Sequence, residues 1–237
     1  MQIARASIII AAISCLGAPL AAQGVFNMGS LTQTLSMPSG QSEARRARAT
    51  GTFSSAFRPR ARTRPPQVNR AALAFRRDPA ITRRVQQRLI ARAGTPQARA
   101  QLQRAFDANI TRDIAGLIRP MGLSYTNLGD ALGAFVTTAW QATHGDYDAS
   151  PAQFRAVSRQ MALAASDAGL ARAGNATKQE LAETALYEAV MIGSSFNAAK
   201  TDRAARAKLA RLASAGTRNM FGFDTARMRM TSAGLAL

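Results

Sequence analysis

Apolar residues recur at every third or fourth position through the second half of the chain. This spacing is that of a helix with one buried face, and no segment shows the strict alternation that indicates a half-buried strand. The three apolar stripes are Leu128, Leu132, Phe135, Val136, Ala139 and Thr143; Phe154, Val157, Met161, Ala164 and Ala168; and Leu181, Ala185, Ala189, Ile192 and Phe196. The pattern predicts an all-α protein.

Capping signals predict where the helices begin. Thr177 and Glu180 have the spacing of a capping box, which predicts a long helix from there to about Lys200. Another helix begins at Ser124 or Thr126 and ends near Gly145. An N-cap residue followed by proline at the first helical position marks three more starts, at Asp78-Pro79, Thr95-Pro96 and Ser150-Pro151.

The end of the chain completes the predicted bundle. A final pair of helices runs from about Thr201 to Arg218 and from Asp224 to Thr231. Residues 67–237 are numerous enough to enclose one hydrophobic core. We therefore predict a single bundle of about six to eight helices, rich in alanine and closely packed.

Two rows of small residues indicate which helices meet. An interior glycine costs about 1 kcal/mol relative to alanine, so two glycines on one helix face usually have a packing reason. We expect the two rows to pack against each other at a short interhelical distance. The alternative is that one or both rows face solvent or a different helix. The rows are Gly129, Gly133 and Thr137 in the first helix and Ala185, Ala189 and Gly193 in the second.

The first 22 residues have the features of a cleaved secretory signal. A short positive start precedes an apolar run over Ala6–Ala18 and a stretch of small residues. We expect a mature protein that begins at Gln23, lies in the periplasm or outside the cell, and has no transmembrane helix. Cleavage after Gly24, an uncleaved anchor and lipid attachment at Cys15 are the alternatives. Because Cys15 is the only cysteine, the mature chain has no disulfide and no cysteine ligand.

The net charge of +18 at pH 7 is concentrated in the first part of the mature chain. Residues 23–104 contain 16 arginines and two acidic residues, for a charge of +14. Residues 23–66 mix Gly, Ser, Thr, Pro and Arg without a sustained period, and they bury too little apolar surface to offset their ordering entropy. We predict a disordered basic linker that contacts anionic envelope components and has no specific nucleic-acid partner. The alternative is a solvated linker without any partner.

Five side chains form the group that most resembles a ligand site. Two polar residues lie one turn apart at a predicted helix start and are flanked by two amphipathic aromatic residues, and a histidine follows at the end of the same helix. A polar ligand cleft is one interpretation, and capping with packing at the rim of the core is the other. The residues are Tyr125, Asn127, Asp130, Trp140 and His144.

The remaining ionisable residues indicate no cofactor and no metal site. His144 is the only histidine, which excludes the usual zinc ligand sets. Together with Asp146 and Asp148 it suggests a general base or a weak cation site, against the alternative of a solvated loop with the histidine near a helix C-terminus. Three glutamates, Glu180, Glu183 and Glu188, lie early enough in a predicted helix to favour interaction with its dipole over acid–base chemistry.

Four segments resemble a known family in their order along the chain. They are 122–131, Thr138–Ala142, Lys178–Glu183 and Met228–Leu235. The chain resembles, over about Pro66 to Leu235, an exported bacterial family described only as a domain of unknown function (DUF6683-like). The resemblance implies a signal peptide, a variable basic linker and a helical domain, and it supplies no activity and no catalytic residues.

These observations favour an exported helical protein of unknown activity with a non-enzymatic interaction or structural role at the cell envelope, where the Arg-rich linker contacts anionic material. The alternative is an envelope hydrolase or a small-ligand-binding protein that uses the region of Asp130, Trp140 and His144. A concave pocket that gathers these three side chains would favour the second function. The sequence identifies no protein partner.

Overall fold

The computed structural model describes Phe53, Phe57 and residues 69–145 and 149–237. The predicted signal peptide lies outside these residues, and so does the predicted linker apart from the two phenylalanines. The described residues form seven α-helices and one hairpin, which confirms the predicted all-α fold. The helices are α1 (Pro79–Arg92), α2 (Pro96–Asp107), α3 (Ile110–Ile118), α4 (Leu128–His144), α5 (Pro151–Asp167), α6 (Asn175–Ala198) and α7 (Arg203–Phe221); the strands are β1 (Arg229–Thr231) and β2 (Gly234–Ala236).

Short polar side chains begin most of the helices. Asp78, Thr95 and Ser150 cap α1, α2 and α5 as predicted, each accepting a hydrogen bond from a backbone N–H of the first turn. Asn127 caps α4 in the same way, and Gly145 ends that helix with φ of 70°. Glycine adopts this left-handed conformation without the steric cost of a Cβ atom, which explains why α4 stops there.

The start of α6 differs from the prediction. The helix begins at Asn175, after Gly174, so the capping box expected at Thr177 is wrong. The Asn175 side chain accepts a hydrogen bond from the Arg76 backbone N–H (2.6 Å) and donates one to the Arg76 carbonyl (2.7 Å). This contact with a distant segment fixes residue 175 at the helix start, whereas the capping box at Thr177 would begin the helix three residues later.

The chain ends in a hairpin, and the helix predicted over Asp224–Thr231 is wrong. Residues Thr225–Arg227 form a 3-10 turn, and β1 pairs with β2 in antiparallel register. Gln160 of α5 holds the hairpin by exchanging two hydrogen bonds with the Leu235 backbone (2.8 and 2.9 Å). Gly234 has φ of 113°, a value that residues with a side chain rarely adopt, so this turn requires glycine.

Helix α4 lies at the centre of the bundle. Every residue from Leu128 to Ala142 is buried, although the apolar stripe predicted only one buried face. The helix packs against α5, α6 and α7, so it has no solvent face for most of its length. Alanine and glycine are abundant in α4, and their small size lets three neighbouring helices approach it.

The glycine row of α4 faces α5. A Cβ atom on Gly129 would lie 2.9 Å from the Ala162 Cα, and one on Gly133 would lie 2.8 Å from both the backbone nitrogen and the Cβ of Ser158. The predicted contact between this row and the small residues of α6 is therefore wrong. The glycines do allow a close helix crossing, but their partner is α5, the next helix along the chain.

Two aromatic side chains from before the helical domain belong to its core. Phe53 and Phe57 are buried, and their rings contact Phe221 (5.1 Å between centroids) and Phe223 (4.5 Å), respectively. Phe221 also contacts Phe135 of α4 (5.9 Å). Within the range predicted as a linker, the two described residues therefore pack against α7 and the segment that follows it.

Candidate functional site

The structure places the five predicted site residues at two ends of α4. Tyr125, Asn127 and Asp130 lie at its N-terminal end, and Trp140 and His144 lie at its C-terminal end. Ten residues of helix between Asp130 and Trp140 correspond to about 15 Å along the axis. The five side chains therefore do not line one common cleft.

Asp130 is fully buried, and both oxygens of its carboxylate accept hydrogen bonds. One guanidinium nitrogen of Arg70 lies 2.7 and 2.6 Å from its two oxygens, the Ser124 backbone N–H donates to Oδ2 (2.9 Å), and the Ser158 hydroxyl donates to Oδ1. A buried carboxylate needs this degree of pairing to offset its desolvation. These contacts join the segment before α1 to α4 and α5.

Asn127 makes a second connection at the same place. Its Oδ1 caps α4 by accepting from the backbone N–H groups of Gly129 and Asp130, while its amide nitrogen donates to the Arg70 carbonyl (2.8 Å). Both polar residues of the predicted cleft thus hold the Arg70 segment against the N-terminus of α4. A ligand would have to displace these intramolecular partners.

Trp140 and His144 form a stacked pair at the other end of α4. Their ring centroids are 4.7 Å apart, with 24° between the planes. The Trp140 indole donates to the Met228 carbonyl (3.0 Å), so it holds the C-terminal segment. His144 is exposed, and its Nδ1 lies 3.1 Å from the Trp140 carbonyl. Because a carbonyl oxygen only accepts, Nδ1 carries the hydrogen there and Nε2 is left for another partner.

A basic groove lies where the C-terminus of α4 meets the N-terminus of α7. Its volume is about 450 Å³, and four basic side chains line it together with Thr143 and Thr201; the Thr143 hydroxyl donates its hydrogen to the Ala139 carbonyl (2.7 Å). No acidic side chain lines the groove among the residues that the structure describes; the neighbouring Asp146 and Asp148, predicted as a base or cation site with His144, are outside those residues. The basic residues are His144, Lys200, Arg203 and Arg206.

Local structure fixes the position of the groove. The guanidinium of Arg206 lies 5.8 Å from the Phe196 ring and donates to the Gly145 carbonyl (3.4 Å), so it is held against the end of α4. Asp202 caps α7 by accepting from the Ala205 N–H (2.9 Å). The Asp202 carboxylate offsets the partial positive charge of the α7 N-terminus, so the positive potential of the groove comes from its basic side chains. The groove therefore presents a positive potential to an anionic group.

A buried polar cluster lies in the first half of α6. The Glu183 carboxylate is fully buried, and its Oε1 accepts from Thr82 (2.8 Å) and Gln179 (3.0 Å). Arg77 approaches to 3.9 Å, but no described residue bonds to Oε2. Burial raises the pKa of Glu183, and the hydrogen bonds from Thr82 and Gln179 and the charge of Arg77 only partly oppose this.

Two tyrosines complete this cluster. Tyr187 bonds to Thr111 (2.9 Å) and accepts from Gln86 (3.1 Å), whereas the Tyr125 hydroxyl has no hydrogen bond to a described residue. Burial raises the pKa of both phenols, so they are neutral at physiological pH. The cluster joins α6 to α1, α3 and the segment before α4, and its side chains do not line the basic groove.

Glu188 is the second buried glutamate of α6. It is 1% exposed, its Oε2 has no hydrogen bond to a described residue, and burial raises its pKa well above the ordinary value, against the opposing charge of Arg92. The predicted dipole interaction is therefore wrong for Glu183 and Glu188, which lie well inside the helix. The apolar residues around them in the sequence, from Leu181 to Ile192, were the available signal of burial.

The described residues contain no group of three or more His, Cys, Asp or Glu side chains placed to hold a metal ion. Among the same residues, no helix combines the length and apolarity needed to cross a bilayer.

Comparisons with known proteins give one match. A family model described as a family of unknown function (DUF6683) matches residues 3–237, which includes the segment before Pro66 as well as the helical domain. No curated protein and no solved structure matches the chain.

Proposed function

Because this chain belongs to the DUF6683 family, whose function is unknown, we propose its role from the site itself: it is an exported, non-enzymatic interaction protein that binds anionic material of the bacterial cell envelope. The observation that carries the proposal is the basic groove between α4 and α7. Four basic side chains and the Thr201 hydroxyl surround one cavity of about 450 Å³. This set of groups suits phosphate or carboxylate oxygens.

The chemistry of the groove supports binding over catalysis. Lys200, Arg203 and Arg206 bind and orient an anion, and among the described residues that line the groove no carboxyl lies beside His144 to orient it as a general base. The carboxyl groups with raised pKa, Glu183 and Glu188, lie away from the residues that line the groove. The hydrolase alternative needs Asp130 beside Trp140 and His144, but these residues lie at opposite ends of α4.

The charge of the whole chain supports the same role. The net charge of +18 attracts anionic partners over a distance of about 10 Å at moderate salt, and it accelerates their encounter. In this proposal the Arg-rich residues 23–66 add non-specific attraction, and the groove supplies the contact of defined geometry. Export brings the protein to the compartment in which such material is found.

The double variant Arg203→Gln/Arg206→Gln tests the proposal. Titration of the full chain with polyphosphate, followed by calorimetry at several salt concentrations, gives the affinity and its salt dependence. Each lost exposed ion pair is worth about 1 kcal/mol, so we expect the affinity to fall about 30-fold at low salt. The slope of log affinity against log salt should also become shallower by about 1.4, at about 0.7 for each phosphate no longer neutralised.

The matched control is Arg83→Gln/Arg104→Gln. These exposed arginines lie on α1 and α2, away from the groove, and their replacement removes the same charge. We expect the control to bind within about threefold of the parent, since only long-range attraction changes. Equal losses in the two double variants would mean that overall charge, and not the groove, binds the anion, and would contradict the proposal.

A further inference from the structure

A second groove lies at the other end of α7. It has a volume of about 350 Å³ and is lined by two cations, Arg218 and Arg227, and by two anions, Asp224 and the terminal carboxylate of Leu237. The Asp224 carboxylate is bound by Arg218 (2.9 Å), by the Ser214 hydroxyl (2.5 Å) and by the Ala226 N–H (2.9 Å). Within the described part of the chain, Arg227 has no ion pair, so the second groove also offers a cation.

The exposed face of α7 connects the two grooves. Residues 203–221 contain five basic residues and no acidic residue. Arg203, Arg211 and Arg218 are exposed, and at about 100° per residue they fall within an arc of about 80° on the helix surface. From Arg203 in the first groove to Gly222 in the second, the helix spans about 28 Å. The cations therefore form a narrow line with a cavity at each end.

We propose that the ligand is a linear polyanion that lies along α7 from the first groove to the second, with Arg211 between them and Arg227 at the far end. This inference rests on the proposed function and specifies the class of its partner. A small anion would fill one groove and leave the other basic residues without a role. A flat anionic membrane would contact the convex helix but would not enter two separate grooves, whereas a flexible chain with a charge on each repeat reaches all of these sites.

The expected signature is a dependence of affinity on polymer length. Polyphosphates of increasing length should bind the full chain more strongly until they span about 28 Å, after which the affinity for each binding site levels off. Tripolyphosphate, which fills only one groove, provides the reference. A parallel series with polygalacturonate distinguishes a phosphate polymer from a carboxylate polymer, and length dependence in either series supports the inference.

The variant Arg211→Gln/Arg227→Gln tests the part of the proposed binding surface that runs from the middle of α7 to the second groove. Its affinity for long polyphosphate should be about 10- to 30-fold lower than that of the parent, and its affinity for tripolyphosphate should stay within about twofold of the parent value. Arg83→Gln/Arg104→Gln, with the same charge change, should affect neither ligand by more than about threefold. Circular dichroism and thermal unfolding of both variants confirm that they fold like the parent.

The outcomes separate this inference from the proposed function. Loss of binding in Arg203→Gln/Arg206→Gln, with no length dependence and no effect of Arg211→Gln/Arg227→Gln, would support the first groove and overturn the extended line. Unchanged binding in Arg203→Gln/Arg206→Gln would overturn the proposed function itself. Stronger binding to phosphatidylglycerol vesicles than to any linear polymer would contradict a linear polymer as the ligand and would favour a membrane surface.

Discussion

At the scale of single residues, buried charge divides into two kinds. Asp130 is surrounded by donors from Arg70, Ser124 and Ser158, so its burial is compensated. Glu183 and Glu188 each have an oxygen without a described hydrogen-bond donor, so their burial is only partly compensated in the ionised form. The first kind connects three segments of the fold, and the second makes the stability of the fold depend on pH.

We expect the stability of the protein to fall as the pH rises above the ordinary glutamate pKa of 4.5. Burial raises the pKa of Glu183 and Glu188, so the folded protein retains protons that the unfolded chain has already released. The loss is absent below that pKa and grows with pH until the raised pKa values are passed. Thermal unfolding of Glu188→Gln should show a smaller fall in Tm than the parent between about pH 4 and pH 7.

An exposed charge provides the comparison for that measurement. Lys208→Gln removes a surface charge from α7 and should retain the pH dependence of the parent. If the parent and Glu188→Gln lose the same amount of Tm over this range, the buried carboxyl of Glu188 does not retain a proton in the folded state.

Replacement of Asp130 should be costly. In Asp130→Ala the buried Ser158 hydroxyl and the Ser124 backbone N–H lose their acceptor, so we expect the free energy of unfolding to fall by about 2–4 kcal/mol. Arg70→Ala should cost only about 1 kcal/mol, because the Arg70 side chain is 42% exposed and water replaces part of its contact. Urea unfolding of both variants measures the difference, and a larger cost for Arg70→Ala would contradict this account.

At the scale of helices and strands, the sequence predicted those elements whose signals are local. The N-caps Asp78, Thr95 and Ser150 lie where they were expected because capping involves residues within one turn. The start of α6 at Asn175 and the hairpin after Asp224 depend on contacts with Arg76 and Gln160, which are distant in sequence. No local pattern contains that information, so periodicity and capping alone gave the wrong boundaries.

The glycines of α4 and α3 should respond to substitution in opposite directions. Gly133→Ala would place a Cβ atom against the Ser158 backbone, which cannot move as a side chain can, so we expect a loss of about 1–3 kcal/mol. Gly116 has open space at the same position, and Gly116→Ala should gain about 0.5–1 kcal/mol from helix propensity. Thermal unfolding of the two variants compares them directly, and a neutral Gly133→Ala would show that the α4–α5 crossing is not close.

At the scale of the whole molecule, the candidate site combines segments that the sequence keeps apart. His144 and Arg206 are 62 positions apart, yet both line the groove beside the end of α4. From the sequence, His144 alone was recognised as a candidate, because its chemistry is distinctive in isolation. Lys200, Arg203 and Arg206 have no distinctive pattern in the sequence, and only the packing of α7 on α4 brings them into one groove.

The aromatic core at the end of α7 also depends on distant residues. Phe57 is 3% exposed and packs on Phe223, so Phe57→Ala should lower the free energy of unfolding by about 3–5 kcal/mol. Phe57→Leu retains most of the apolar volume and should cost about 1 kcal/mol. Denaturant unfolding measures both, and a negligible effect of Phe57→Ala would mean that the bundle is complete without this residue.

The same contacts determine when the protein can finish folding. Phe53 leaves the ribosome long before Phe221, the ring it will contact, since the two residue numbers differ by 168. Until α7 is available, the early rings have no native partner, and contacts of such large separation form late. A growing chain therefore carries unburied aromatic surface near its beginning for most of its synthesis, and a chaperone that binds exposed rings would act on this segment first.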